Sequence, residues 1–316
     1  MYYLGVDLGG TNIAVGVVDE NGKVLNTKST PTLSGRPLEE VVCDMAKVCR
    51  EAIEDAGITE KDVKCIGIGT PGSVDQKNGV VVYSNNLRMD NFPIAEELRK
   101  HIDLPINIEN DANAAAYGEY ISTGNGIDSF IFVTLGTGVG GGIVLNGEIY
   151  RGFNGAGAEL GHITLVFDGE PCTCGRKGCW EVYASVTGLI KQTQRAIDEH
   201  PESEMCAIAK EYGKVSGRTS FEAAKKGDKV AQEVVDTYIK YVADGIASLV
   251  NIFQPEKIVI GGGISKEGDY ILNPIKEYVE KNDYNKYQER TKIEIATLHN
   301  DAGIVGAAMA AKRAIG

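Results

Sequence analysis

Between Glu159 and Glu181 the chain reads E-L-G-H-I-T-L-V-F-D-G-E-P-C-T-C-G-R-K-G-C-W-E. One imidazole, His162, and three thiols, Cys172, Cys174 and Cys179, make a complete tetrahedral donor set for Zn²⁺. Four protein ligands leave no position for an activated water, so an ion held there is structural. Glu159 and Glu181 bracket the set without being needed as ligands, which makes them available to line a polar ligand pocket.

A second chemistry is written in three glycine-rich turns that each follow a strand-like run: Asp7 to Thr11, Gly136 to Gly142, and Gly261 to Gly263. Backbone N–H groups approach phosphate oxygens closely only where no Cβ intervenes, and a threonine hydroxyl adds a donor. None of the three has Walker spacing, and Gly136-x-Gly138-x-Gly140 lacks the spacing of a dinucleotide fingerprint. Asp7, acidic at the mouth of a phosphate loop, makes sense if it helps to hold Mg²⁺ beside the phosphates. Asn110 and Asp111 fall where the strand Ile106 to Glu109 gives way to the alanine-rich run Ala112 to Gly118. Asp111 there serves either as a helix cap or as a carboxylate kept ionised by the helix N-terminus.

The elements that must position these groups follow from periodicity. Tyr2 to Val6, Ile13 to Val18 and Lys23 to Thr27 read as strands, joined by the first glycine turn and by Asn21-Gly22. Ser129 to Thr134, Gly142 to Leu145 and Glu148 to Tyr150 repeat that plan, with Asn146-Gly147 as the second hairpin turn, and predict two related half-domains. Pro37 to Ala56 has an apolar stripe and predicts an amphipathic helix stopped by Gly57. Further helices are expected over Ile94 to His101, Tyr183 to Asp198, Thr219 to Phe253 and Gly303 to Ile315, with strands at Lys64 to Gly69 and Lys257 to Ile260. Strands alternating with crossover helices place the chain in the α/β class.

Composition narrows the partners. With 316 residues and 43% hydrophobic content, the chain is long enough for about two domains. A net charge of −12 argues against nucleic acid as a partner. The chain opens on Tyr2-Tyr3-Leu4-Gly5-Val6 without a charged-then-apolar leader, and its longest weakly polar stretch, Phe130 to Leu145, is broken by glycines. No membrane partner and a cytoplasmic location are therefore expected. Three of the seven cysteines lie within eight residues, which suits a metal site in a reducing compartment; Cys43, Cys49, Cys65 and Cys206 are expected to be small buried hydrophobes.

The runs Asp7-Leu8-Gly9-Gly10-Thr11, Leu135 to Gly142, and Glu159-Leu160-Gly161-His162 with Cys172 to Glu181 resemble the ROK family of sugar kinases and repressors, within the actin-like ATPase superfamily. The cysteine segment is similar in particular to that of the family's bacterial glucokinases. The resemblance implies two actin-like (ribonuclease H-like) α/β domains with a nucleotide and sugar cleft between them, residues 1–118 plus 302–316 forming the smaller and 119–301 the larger. It implies that Asp7, Gly9, Gly10 and Thr11, and Thr134, Gly136, Thr137 and Gly138, face the ATP phosphates, with Gly261, Gly262 and Gly263 near the adenosine. It makes Asp111 the general base, Asn110, Gly72, Asn86, Glu159, His162 and Glu181 sugar contacts, and His162, Cys172, Cys174 and Cys179 the zinc ligands. One ring nitrogen of His162 would bind metal while the other meets a sugar hydroxyl.

Ala14 stands where many members carry a lysine or arginine. The expected activity is ATP-dependent phosphorylation of glucose at the 6-hydroxyl, in a homodimer, with Mg²⁺ accompanying ATP. N-acetylmannosamine, N-acetylglucosamine, mannose and allose are alternative substrates, and a non-catalytic sugar-binding regulator is a more distant alternative. Repressors of the family carry a winged helix-turn-helix ahead of the kinase-like region; with the first strand beginning at Tyr2, none is expected here.

Overall fold

The computed structural model describes residues 1–124 and 126–316. The chain folds into two compact units, one of residues 1–132, 141–158 and 297–316, the other of 133–140 and 159–296.

In chain order the first unit contains β1 (Tyr2–Leu8), β2 (Asn12–Asp19), β3 (Val24–Pro31), α1 (Leu38–Asp55), β4 (Val63–Thr70), β5 (Ser73–Asp75), β6 (Val80–Ser84), β7 (Met89–Phe92), α2 (Ile94–Arg99), β8 (Ile106–Asn110) and α3 (Asp111–Thr123). Next come β9 (Ser129–Leu135), β10 (Val139–Leu145) and β11 (Glu148–Ile149); β9 and β10 each run through a unit boundary. The second unit continues with α4 (Trp180–Ala184), α5 (Val186–Glu199), α6 (Glu204–Glu211), α7 (Thr219–Lys225), α8 (Lys229–Phe253), β12 (Lys257–Gly261), α9 (Asp269–Asn282) and β13 (Lys292–Ile295). The chain then returns to the first unit for α10 (Ala302–Ile315).

The predicted repeat is present in the sheets. One is ordered β3-β2-β1-β4-β8 and the other β11-β10-β9-β12-β13, the same topology element for element. In the first, β1 pairs antiparallel with β2 and parallel with β4, and β4 pairs parallel with β8. Parallel strands buried on both faces need near-continuous apolar runs, and Leu4, Val6, Ile66, Ile68 and Ile108 supply them. The stripe of α1, Val41, Val42, Met45, Val48, Cys49 and Ile53, packs into that core.

On β1, β4 and α3 lies α10, which approaches at backbone distance. A Cβ on Gly118 would overlap Ala302 O, and one on Gly306 would overlap Ala114 O, so α3 and α10 meet only because both positions are glycine.

Several sequence expectations are corrected. The helix expected over Tyr183 to Asp198 begins at Trp180 and breaks at Ser185, whose extended backbone and side chain cap α5 through the Gly188 N–H. Thr219 to Phe253 breaks at Gly227, φ +93°, after which the Asp228 side chain caps α8. The small sheet β5-β6-β7, α6, α9 and β13 were not anticipated. Cys49 and Cys65 are buried as expected, but Cys206 is half-buried and Cys43 is exposed on α1, its Sγ 3.6 Å from His101 Nε2. Among the described residues no helix is long and apolar enough to cross a membrane.

Candidate functional site

In the first unit, Asp7 lies inside β1 rather than in the turn, and the turn itself is Gly9 to Thr11. Gly9 N–H donates to Asn12 O, and Thr32 clamps the turn by donating Oγ1 to Gly9 O (2.7 Å) and its N–H to Thr11 O. Asn86 sits against Gly10. The ladder sets Asp7 directly opposite Ala14 on β2 and beside Gly69 on β4. Directly opposed residues of an antiparallel pair are close cross-strand neighbours, so the nearest such neighbour of Asp7 is a methyl group instead of a cation.

At the end of β8, Asn110 is the cap of α3, its Oδ1 accepting from Ala112 and Asn113 N–H at 2.9 and 3.1 Å. That leaves Asp111 as the first residue of the helix, with Oδ1 accepting from Ala112 N–H at 2.8 Å. Asn110 Nδ2 donates to Gly72 O (3.1 Å), so two of the expected sugar contacts are tied to each other. Gly72 has φ +101°, and a Cβ there would overlap Tyr83 O.

Burial raises the Asp111 carboxyl above the usual 3.8, outweighing its hydrogen bonds from Ala112 and Asn110. Asp7 is pushed up to about 6, first by burial and then by the charge of Asp111. Two half-buried carboxylates, one resisting ionisation because of the other's charge and neither relieved by a lysine or arginine among the described residues, form a site whose charge a cation would relieve.

In the second unit, β9 leads through Thr134 to a turn at Gly136 to Gly138, closed by Gly136 N–H on Gly138 O. Val139 and Gly140 belong to β10 rather than to the loop. The turn is braced from the α4–α5 junction: Val186 N–H donates to Gly136 O, Thr187 Oγ1 donates to Thr137 O (2.7 Å), and Val139 N–H donates to Glu181 Oε2 (3.0 Å). Glu181, expected only as a sugar contact, thus also fixes the phosphate-type loop. A Cβ on Gly136 would meet nothing within 4 Å, so that face of the turn is open.

Gly261 closes β12, and Gly262, φ +86°, packs on Leu135 with its carbonyl held by Ser265 Oγ at 2.7 Å. Gly263 is open and borders a cavity of about 700 Å³ also lined by Lys214, Arg218, Lys225 and Lys266. These four cations were not singled out from sequence; they come from separate elements and share no motif.

His162, Cys172, Cys174 and Cys179 do converge. Their donor atoms all lie within 4.8 Å of one another, with His162 Nδ1 3.7 Å from Cys172 Sγ and Cys174 Sγ 3.6 Å from Cys179 Sγ. Bonds of about 2.0–2.3 Å at tetrahedral angles separate ligand atoms by roughly 3.5–3.8 Å, so these donors fit a zinc ion. The local fold explains the convergence. Gly175 and Gly178 turn the chain at φ +88° and +73°, Cys172 N–H donates to Arg176 O, and Arg176 fastens His162 O and Thr164 Oγ1. Burial, with the neighbouring thiols, pushes Cys179 up to about 12, whereas a hydrogen bond from the Arg176 backbone lowers Cys174.

Glu159 precedes the short turn carrying His162, its carbonyl accepting from His162 N–H, and its side chain is exposed. Trp180 is fully buried, donating Nε1 to Tyr241 O with its ring on Gly245, and is a core residue.

The ROK family model matches residues 3–314. The chain is 37% identical to a glucokinase of Halalkalibacterium halodurans over 96% of this chain and 93% of that one. It is 36% identical to a glucokinase of Thermotoga maritima over 99% and 98%. Its fold is similar to the crystal structure of a ROK family glucokinase from Streptomyces griseus in complex with glucose and AMPPNP, with TM-score 0.82 and 36% identity over 99% of this chain and 100% of that one. The architecture is α/β of the actin-like ATPase type, as expected from the sequence.

Proposed function

The chain belongs to the ROK family, and from that premise we propose that it is a glucokinase, transferring the terminal phosphoryl group of ATP to the 6-hydroxyl of glucose. The observation that carries this reading is the end of β8, where a carboxylate heads α3 and is made more basic by burial. A sugar hydroxyl is a poor nucleophile until a base accepts its proton during attack. Asp111 is that base in this reading, and its raised affinity for a proton suits the task. Asn110, anchored to Gly72, and Asn86 beside Gly10 are sugar contacts in this reading, as are Glu159, His162 and Glu181.

Phosphoryl transfer is otherwise a matter of positioning and charge neutralisation. Gly9, Gly10 and Thr11, and Thr134, Gly136, Thr137 and Gly138, supply donors to the phosphates; Gly261, Gly262 and Gly263 lie near the adenosine, Gly263 bordering a cavity lined by Lys214, Arg218, Lys225 and Lys266 together with Glu222 and Glu267. Mg²⁺, when bound with ATP, supplies neutralising charge, and Asp7 is the residue placed to hold it, directly or through water. Zinc on His162, Cys172, Cys174 and Cys179 is structural: Nδ1 of His162 faces the thiols, which leaves Nε2 for a sugar hydroxyl. The reading extends to a homodimer in the cytoplasm.

The test is ATP turnover coupled to product detection across glucose, mannose, allose, N-acetylglucosamine and N-acetylmannosamine. Glucose is expected to give the highest kcat/KM; an N-acetyl sugar exceeding it by a large factor would overturn the substrate assignment, and absence of turnover with every sugar would overturn the kinase reading.

A further inference from the structure

We propose that Glu109, oriented by Arg151, is a positioning residue for phosphoryl transfer that sets the place of Asn110 and Asp111. This rests on Asp111 being the base.

Glu109 is the last residue before the pair, on β8, and its side chain is only 2% exposed. A carboxylate so buried must have its oxygens satisfied, and they are divided between two tasks. Oε2 faces the loop after β11: Arg151 donates Nε to it (2.8 Å) with Nη2 2.6 Å away in an ion pair, and Gln76 Nε2 approaches at 3.5 Å. Oε1 faces the start of α3, accepting from Asn110 N–H at 3.1 Å and from Asn113 Nδ2 at 3.3 Å.

The second task matters because of how the helix begins. Asn110 spends its own Oδ1 on Ala112 and Asn113 N–H, so its own N–H needs an outside acceptor, and buried Asn113 needs one for Nδ2. Glu109 Oε1 serves both donors, on either side of Asp111 in the chain. By holding Oε2, Arg151 fixes the rotation of the carboxylate and keeps Oε1 on the junction. Arg151 is itself held, since its carbonyl accepts from Gly157 N–H and its Nη1 donates to Ile149 O. The result is a relay from loop to carboxylate to helix cap, all within the first unit, that locates the proposed base without touching substrate.

The test compares Arg151→Ala, Arg151→Lys and Glu109→Gln by steady-state kinetics on folded protein, using whichever sugar the panel above shows to be turned over best. A wrong sugar assignment then changes only the reagent, whereas a wrong assignment of the base appears separately as activity in Asp111→Ala. A displaced base costs kcat about tenfold to a hundredfold, and that loss is expected in Arg151→Ala and Glu109→Gln. KM for ATP is expected to stay within about twofold, because the ATP contacts assigned above lie elsewhere. Arg151→Lys, which restores one donor and the charge, is expected to recover most of the loss. The proposal is overturned if Arg151→Ala keeps wild-type kcat, if KM for ATP rises as steeply as kcat falls, or if lysine restores nothing. Should Arg151→Ala not fold, Glu109→Gln, which keeps the side-chain shape and one acceptor oxygen, is judged by the same kcat and KM criteria.

Discussion

Two regions of the molecule gather groups that repel one another once ionised, and they are built in opposite ways. On β1 and at the end of β8, Asp7 and Asp111 are two half-buried carboxylates, both with a raised affinity for a proton. In the segment from His162 to Cys179, three thiols and an imidazole close on one point, within a turn held by its own backbone hydrogen bonds. Oxygen donors too few to fill a coordination shell suit a hard cation that arrives with a nucleotide and leaves with it. Four converging nitrogen and sulfur donors suit a softer cation that stays. In the proposed reading, the difference teaches that the chain separates the charge that takes part in chemistry from the charge that maintains shape.

The largest effect is expected at the first region. Replacing Asp111 by Ala should lower kcat by about a thousandfold, while calorimetry still detects glucose binding. Substantial residual turnover would remove Asp111 from the role of base and dissolve the contrast, since its carboxylate would then be no more than a helix-end residue.

Next is the second region. Cys174→Ser should release metal and cost more than about 3 kcal/mol of stability, because removing one of four ligands undoes a site whose binding energy is folding energy. Native mass spectrometry and thermal denaturation check it. Retention of one zinc per chain with an unchanged Tm would show that the four donors do not act as one site.

Much of this contrast was legible in the sequence because it is local. Cys172, Cys174 and Cys179 lie close together in the chain, and the glycines that turn it at positive φ, Gly175 and Gly178, stand between them. The repeat of strand, glycine turn and strand was legible for the same reason; it predicted two related half-domains, and the two sheets have matching strand orders. What was not legible depends on partners distant in sequence or on burial. The Glu109 to Arg151 pair spans 42 residues, and neither member stands in a motif. The hold of Glu181 on Val139 N–H likewise spans 42 residues. Raised carboxyls at Asp7 and Asp111 come mainly from desolvation, which a sequence pattern does not carry. The sheet β5-β6-β7 escaped because its short strands mix exposed and buried residues without a clean alternation.

A smaller effect separates the regions by pH. A carboxyl whose folded pKa lies above its unfolded value contributes stability that is complete below the unfolded value and is lost as pH rises through the folded one. For Asp7 that window runs from 3.8 to about 6. In metal-free and nucleotide-free buffer, stability should therefore fall by on the order of 1 kcal/mol across that window, after allowance for partial solvent access. Asp7→Asn should flatten the fall. Sugar phosphorylation runs the other way, rising with pH as Asp111 loses its proton. A stability curve that is flat from about pH 4 to about pH 6 and rises only below about pH 4, with that rise lost in Asp7→Asn, would mean that Asp7 has a cationic partner in solution.

The smallest effect tests why the first region is short of positive charge. Ala14 lies opposite Asp7 in the β1–β2 ladder, so Ala14→Lys sets an ammonium on the strand position nearest the carboxylate. A cross-strand pair of opposite charge contributes roughly 0.2–1 kcal/mol, enough to draw the Asp7 carboxyl back toward its ordinary value. The pH-dependent loss of stability should then end at a lower pH and be smaller, by carboxyl NMR titration and by Tm against pH. The same lysine would compete with Mg²⁺ for Asp7, so the KM for Mg-ATP should rise modestly while the zinc content stays constant. A change in zinc content, or an unaltered Asp7 titration, would show that position 14 does not govern the carboxylate pair. The outcome expected is a substitution that alters the exchangeable charge and leaves the permanent one untouched.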